Sequence, residues 1–479
     1  MSNAAKILLM VLLALSGLGV NGQQSIVTIL YSFAGTNGEN PEGHLIEGRD
    51  GSLYGTTRTG GQYGYGTVYK MTLSGSVTTL YTFSMYNGTN GSVPEAPVIQ
   101  GQDGNLYGTT QEGGGIGSIF SMTTNGLLNY SVVLEETNGA NVQHGLVQGM
   151  DGNFYGITVN GGFRAEPGFL QSSMYGTVFK MTPSGSLSTL YSFGTQPGDA
   201  TVGGLPDGEL VQGPDGDLYG PADGGQYGSI YKATTNGVVT ALFDFGATNG
   251  SGPAGPLVWG PAGNLFGLTT AGGNYGWGTI FELTTNGNLT SLFSFDGTNG
   301  AVYADDANSD DFSGGLVPGS DGNFYGETIC GGPGFFGGHG GYENGTLFQI
   351  TPGGTLSTLY AFGNVPNDGI YPGGGLMQAS DGNFYGVTFY GGTNNDGTIF
   401  RLSVPLPAVF ESASQSKGAI SLTWSAVAGR VYQLQYATNF APPAWANLGT
   451  QITASNGDLS ESDATGPDSR RYYRVVLVQ

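Results

Sequence analysis

The chain has 479 residues, 90 of them Gly and 22 Pro, and only 10% are charged. Its 35 acidic residues against 13 Lys and Arg give a net charge of -22, which excludes a nucleic-acid-binding surface and a basic patch for anionic lipid, since nothing here neutralises a run of phosphates. Aromatics at 12% and hydrophobics at 38% exclude a solvated disordered chain, and the few helix formers point to an all-β fold.

Residues 1–22 read as a signal peptide. Lys6 precedes an apolar run from Ile7 to Val20, shorter than the roughly 20 residues a spanning helix needs, and Val20 and Gly22 supply small residues before a cut near Gln23. An uncleaved anchor is the alternative for this segment. No later stretch is apolar enough to span a bilayer. The mature chain is therefore expected to be secreted or held at the cell surface, with no membrane insertion. Cys330 is the single cysteine, so no intramolecular disulfide forms. An exported chain without one needs a large core or a closed architecture.

Residues 24–403 hold seven repeats. Each opens with Asp-Gly, two residues and aromatic-Gly, as in Asp50-Gly51-Ser52-Leu53-Tyr54-Gly55; the tetrad restarts at Asp103, Asp151, Asp215, Ala262, Asp321 and Asp381. A Gly-Gly loop follows, then a strand signal such as Gly66-Thr67-Val68-Tyr69 or Gly397-Thr398-Ile399-Phe400, then a turn, then one such as Leu80-Tyr81-Thr82-Phe83. With a short strand before the Asp-Gly turn, each unit gives four strands, A to D, and four-stranded units repeated radially make a β-propeller. The last repeat lacks strand D, while an orphan copy, Leu30-Tyr31-Ser32-Phe33, precedes the first. Pairing of that orphan onto the last unit predicts a seven-bladed β-propeller closed by the N-terminal strand, with no open sheet edge between first and last. An open solenoid is the competing arrangement.

The run Asp-Gly-Asn-x-Tyr-Gly-x-Thr, Gly-Gly, Gly-Thr-x-Phe-x-Met-Thr and Leu-Tyr-x-Phe resembles the Gloeo–Verruco (GloVer) tandem repeat of exported bacterial proteins. The resemblance spans about residues 24–403 and implies bacterial export and a propeller-like architecture. It implies no reaction, because the family carries no settled catalytic motif.

Pro405 and Pro407 mark a linker. Residues 404–479 then alternate at period two in Ile420–Trp424, Val431–Tyr436 and Tyr472–Leu477, which predicts a small β-sandwich. Trp424 on an early strand, Tyr436 on the next and the late Tyr-x-x-Val strand make it similar to a fibronectin type III module. The usual final strand is missing from this pattern.

Alternating strand direction puts the long D–A and B–C connections on one face of the disc, where sites on rigid scaffolds usually sit. The longest insertions, 161–175, 297–315 and 331–344, bring Phe163, Phe169, Tyr303, Phe335, Phe336 and Tyr342 beside Tyr65, Tyr275 and Trp277. Aromatics with acids and amides suit sugar rings, whose C–H faces are apolar and whose hydroxyls need partners. Tyr65, Tyr275, Trp277, Phe335, Phe336 and Tyr342 are thus candidate ligand-binding residues, although such aromatics also pack their own loops. The B-strand aromatics and the turn Asp are read as structural. In the insertion 305–311, Asp306, Asn308 and Asp310 match the alternate oxygen ligands that open a calcium loop, but Asp311 stands where Gly belongs and Val317 where the closing Glu belongs. Calcium is the one cofactor suggested, against a plain acidic loop. His44, His144 and His339 show no zinc spacing.

Glu39, Glu42, Asp199, Asp207, Glu209 and Glu327 supply carboxylates for the loop face, but no catalytic residue is assigned, because sugar hydrolysis needs two at a set separation. The leading function is an exported non-enzymatic propeller that binds a polysaccharide or a cell-surface protein. A polysaccharide hydrolase or lyase on the same face, and a structural envelope protein, are the rivals.

Overall fold

A computed structural model of the protein describes residues 26–84, 91–113, 116–162, 175–194, 204–302, 314–332, 344–404, 410–416, 419–426, 431–438, 445–455, 458–464 and 471–477. The segment read as a signal peptide lies outside them. Ile26–Leu402 forms one compact unit, and the chain from Ser403 onward belongs to another.

The first unit consists of seven antiparallel sheets, all but the last of four strands in the order A-B-C-D. Blade 1 runs Ile46–Glu47, Leu53–Thr57, Thr67–Met71 and Val77–Thr82. Blade 4 runs Val211–Gln212, Leu218–Ala222, Ser229–Ala233 and Val239–Asp244. In blade 7 the outer strand is Ile26–Ser32, which pairs with Thr398–Ser403 beside Phe384–Gly391. Phe33 N–H bonds to Gly397 C=O at 3.0 Å, the same bond that Phe83 makes to Gly66 inside blade 1. The orphan N-terminal strand thus takes the strand D position of the last repeat.

The tetrad dictates this local structure. Gly51 turns the chain with φ at 72°, while the Asp50 carboxylate accepts the Ser52 N–H at 3.1 Å. The second glycine of the tetrad is needed for space and not for torsion. A Cβ on Gly156 would lie 2.5 Å from Cζ of Phe179 on strand C, and one on Gly326 would lie 2.5 Å from Cζ of Phe348. The bare backbone makes room for the ring of the next strand. Strands B and C are consequently buried on both faces, whereas strand D is half-buried or exposed along its length.

Hydrophobic cores lie between blades. Tyr54, Val68 and Phe83 of blade 1 share one with Leu106 and Phe120 of blade 2. Phe33, Tyr385, Val387 and Ile399 of blade 7 share another with Leu53, Tyr69 and Met71 of blade 1. Each fully buried Tyr or Phe is worth about 1.5–3 kcal/mol relative to exposure. Polar staples repeat the pattern. Gln100 of blade 2 accepts the Arg49 N–H of blade 1 at 2.9 Å, Gln148 accepts Gln102 N–H at 2.9 Å, and Glu47 of blade 1 accepts Ser380 N–H of blade 7 at 2.7 Å. Blade 7 therefore meets blade 1 through the same two kinds of contact that join sequential neighbours.

The C-terminal unit has two three-stranded antiparallel sheets. Phe410–Ser416, Ala419–Ser425 and Asp458–Ala464 form one; Ala446–Thr453, Val431–Ala437 and Tyr472–Leu477 form the other. Leu422 and Trp424 from the first sheet and Tyr432 and Leu434 from the second pack in one core. The buried Asp463 is held by Arg471 Nη1 at 2.6 Å and Tyr473 Oη at 2.7 Å.

Candidate functional site

Antiparallel order puts the A–B and C–D turns on one face and the B–C and D–A connections on the other. The turn face is regular. In blade 3, Asp151 accepts the Tyr155 hydroxyl at 2.8 Å and Lys180 Nζ at 2.8 Å; Asp50, Tyr54 and Lys70, and Asp215, Tyr219 and Lys232, repeat the arrangement. Burial opposes ionisation of Asp151, but bonds from Lys180, Asn153 and Tyr155 outweigh it and hold the carboxyl well below the usual range. In blade 5 all three partners change together, to Ala262, Phe266 and Glu282, and Asn264 bonds Glu282 at 2.6 Å instead. The B-strand tyrosines and turn aspartates are structural, as the sequence suggested. Their mutual hydrogen bond was not read from the sequence, although the paired loss of the acid and the hydroxyl in blade 5 signalled it.

The loop face is irregular. Among the described residues, Tyr63, Tyr175, Tyr275 and Tyr390 are its exposed aromatics, with Tyr275 the most open at 62%. Tyr63, Tyr175 and Tyr275 sit in the B–C connections of blades 1, 3 and 5, and Tyr390 lies near the end of strand B in blade 7. Of the candidate ligand-binding residues, Tyr275 is one of these. Tyr65 and Trp277 are half-buried against the blade 1–2 and blade 5–6 cores, and their carbonyls accept N–H bonds from Val93 and Val302 of the following blades at 3.0 and 3.2 Å. Phe335, Phe336 and Tyr342 lie outside the described residues. So do Asp306, Asn308 and Asp310. No group of three His, Cys, Asp or Glu with a metal-holding arrangement occurs among the described residues.

Charge gathers where the D–A segments of several blades come together. Three residues before Leu45, Val98 and Leu210, blades 1, 2 and 4 carry Glu42, Glu95 and Asp207; blades 5 and 7 carry Ala254 and Gly373 there. Arg58 Nε lies 3.1 Å from Glu95, and Nη1 lies 3.6 Å from Glu42. His144 Nε2 of blade 3 lies 2.9 Å from Asp207 of blade 4. These contacts clamp neighbouring blades. A fourth joins blades that are not neighbours: His44 Nδ1 of blade 1 is 3.9 Å from Glu209 Oε1 of blade 4. Between neighbouring blades, backbone meets backbone. A Cβ on Gly255 would fall 2.0 Å from Gly314 O, and one on Gly374 would fall 2.3 Å from Glu42 O.

Glu327 is fully buried on strand B of blade 6, where other blades place Thr56, Thr109, Ile157, Pro221, Leu268 and Val387. One carboxyl oxygen accepts the Gly375 N–H at 2.5 Å; the other has no hydrogen-bond partner among the described residues. Burial pushes the carboxyl up to about 8, against the lowering effect of the Gly375 bond. Gly375 in turn abuts His44, to whose Cβ an added methyl would stand at 3.4 Å. Of the six carboxylates the sequence offered, Glu42, Asp207 and Glu209 lie in these D–A segments and Glu327 on strand B of blade 6. Glu39 pairs in a bridge with Thr59 at a blade edge, and Asp199 lies outside the described residues.

These features define a tandem-repeat β-propeller with a regular turn face and a charged, tyrosine-bearing loop face. The chain belongs to the Gloeobacter/Verrucomicrobia repeat family, which matches residues 19–172 and 168–317. The repeats opening at Asp321 and Asp381 lie beyond that match and build the same sheets. No curated protein matches. Among solved structures, puromycin hydrolase is 12% identical with a TM-score of 0.46, over 82% of this chain and 60% of that one. A protein from Lactobacillus plantarum is 13% identical with a TM-score of 0.44, over 89% and 98%. A chain from a study of two prolyl endopeptidases is 13% identical with a TM-score of 0.43, over 82% and 55%. This chain thus spans about 60% of the puromycin hydrolase chain. At such likeness nothing of these proteins' activities transfers to it.

No helix among the described residues is long and apolar enough to cross a membrane.

Proposed function

We propose that this is an exported, non-enzymatic propeller, closed as a seven-bladed ring by its N-terminal strand, that binds a glycan through its loop face. One observation carries the reading: Tyr63, Tyr175, Tyr275 and Tyr390 are exposed, and all belong to the B–C side. Exposed large side chains near the turns of the other face, Leu127, Met150 and Val238, are aliphatic instead. A flat ring with a hydroxyl at its tip stacks on a sugar's C–H face and bonds its hydroxyls. Residues 1–22 serve as the export signal, and the C-terminal unit, read as a fibronectin type III-like sandwich, serves as a spacer or docking module.

Hydrolysis on the same face is the competing reading. It is disfavoured because Glu327, a carboxyl whose proton affinity burial raises, is fully buried. A polysaccharide panel scored for both binding and released reducing or unsaturated ends tests the proposal. Binding without product supports it. Product release transfers the function to the hydrolase reading, and absence of binding across the panel refutes glycan recognition.

A further inference from the structure

We infer that the loop face takes an uncharged polysaccharide, stacked along blades 3, 4 and 5, and rejects polyanionic ones; this rests on the glycan reading above and names its ligand class. The residue before the glycine that opens strand C is Tyr175 in blade 3, Tyr227 in blade 4 and Trp277 in blade 5. In each case its carbonyl accepts an N–H of the next blade, from Leu205, Gly252 and Val302, at 2.9, 3.0 and 3.2 Å. The three aromatics therefore stand in consecutive, laterally joined sectors. Blades 2, 6 and 7 carry Ile116, Asn344 and Asp396 at that place, so the run is not repeated elsewhere. Two rings of this arc are exposed and held in position. Tyr175, 47% exposed, is seated against two glycines: a Cβ on Gly194 would fall 2.0 Å from its Cδ2, and one on Gly204 would fall 2.9 Å from its Cδ1. Tyr275 stands in a loop closed by bridges from Gly272 to Gly276 and Trp277, and the Asn274 N–H donates to the Ser294 hydroxyl at 3.1 Å. A ring fixed before binding loses little conformational freedom when a sugar's C–H face stacks on it.

Charge decides the class. Residues 246–278, which run through the loops of blade 5, contain no charged side chain, and residues 204–228 of blade 4 contain acids but no Lys or Arg. The cations of the propeller lie elsewhere or are committed. Arg49, Lys70, Lys180 and Lys232 bond groups of the turn face, and Arg401 takes the strand C place in blade 7 that Lys70 has in blade 1. Arg58 is engaged by Glu42 and Glu95. Arg164 lies outside the described residues. A uronate carboxylate or a sulfate is recognised by a charge-assisted bond from Lys or Arg, and the described part of this arc offers neither. The net charge of -22 adds a field that repels a polyanion on approach. What the arc does offer is neutral: tyrosine rings, the Asn274 amide, and the Gln226 amide, which bonds the Tyr227 hydroxyl at 3.0 Å. Hydroxyls and amides of this kind pair with sugar hydroxyls without a counter-charge.

The test uses the full chain after removal of residues 1–22 and three soluble polymers, galactomannan, mixed-linkage β-glucan and xyloglucan, each beside the same polymer oxidised to the carboxylate at C6. Affinities are measured by calorimetry at low salt, where charge is least screened. At least one neutral polymer is expected to bind, and its carboxylated form to bind roughly tenfold more weakly or worse. Tyr175→Ala and Tyr275→Ala are each expected to lose roughly tenfold for the neutral polymer, Tyr275→Phe to stay within about threefold, and Leu127→Ala on the turn face to stay within about twofold. Unfolding temperatures establish that the variants fold. Asn274→Lys, which places a cation beside Tyr275, is expected to narrow the gap between the two forms to about threefold. Equal or tighter binding of the carboxylated forms overturns the uncharged class and leaves glycan recognition standing. Full affinity in folded Tyr175→Ala and Tyr275→Ala overturns the arc. Binding of no polymer in either form overturns glycan recognition, and this inference with it.

Discussion

The two faces of the ring are built from the same repeats and differ in what they conserve internally. On the turn face, blades 1, 3, 4 and 6 present an aspartate, a tyrosine hydroxyl and a basic or amide partner in one geometry, and blade 5 replaces the set as a unit. Along the D–A segments of the loop face, matched positions hold Glu, Asp, Ala and Gly, and one contact joins blades that are not neighbours. Seven copies of one scaffold separate what holds the ring together from what distinguishes its sectors. Repetition marks stability; broken symmetry marks the place where a ligand gives the difference a purpose.

The contrast is open to disruption from the structural side first. Gly156→Ala puts a methyl 2.5 Å from the Phe179 ring in a core with no slack, and a loss of about 3 kcal/mol in denaturant unfolding is expected. Gly152→Ala, at a turn with open space but φ at 81°, is expected to cost less, about 1 kcal/mol. If both cost the same, ring accommodation is not what the tetrad's second glycine provides.

Glu327 probes the other region. Its carboxyl holds a proton in the folded chain up to about pH 8 and releases it near 4.5 when unfolded. The stability tied to that proton is full below pH 4.5 and is lost as pH rises through 8. Glu327→Val, the residue of blade 7, is therefore expected to raise the unfolding temperature at pH 9 and to flatten its pH dependence between 5 and 9. The gain is on the order of a few kcal/mol. An unchanged slope shows that the carboxyl is not held protonated.

Asp151→Ala removes the acceptor for Tyr155 and Lys180 and is expected to cost about 1–2 kcal/mol. Ala262→Asp in blade 5 is expected to return nothing unless Phe266→Tyr and Glu282→Lys accompany it, a three-way coupling measurable by mutant cycles. The smallest structural effect belongs to Tyr275→Ala. At 62% exposure it is expected to change stability by less than about 0.5 kcal/mol while weakening glycan binding.

Most of the fold was legible because a propeller writes each blade in consecutive residues. The Asp-Gly-x-x-Tyr-Gly tetrad marks a turn and a strand directly, and the orphan Leu30–Phe33 signalled the pairing found with Thr398–Ser403. The site was less legible. His44-Leu45 and Gly208-Glu209-Leu210 look like loop filler in one dimension, and only the ring brings His44 to Glu209. Tyr65 and Trp277 looked like surface aromatics because they flank glycines; in three dimensions each leans back on a core between blades. Tyr63, two residues from Tyr65, is the exposed member of that pair.

Hydrogen exchange of the chain with and without a polysaccharide that the panel shows to bind is the most direct trial of the division of labour between faces. Slowed exchange is predicted in the B–C connections at 58–66 and 272–278 and in the D–A segments at 40–45 and 204–210. The Asp-Gly turns at 50–53, 151–154 and 215–218 are predicted to exchange unchanged. Protection centred on those turns, with the loop face unaffected, would contradict the account.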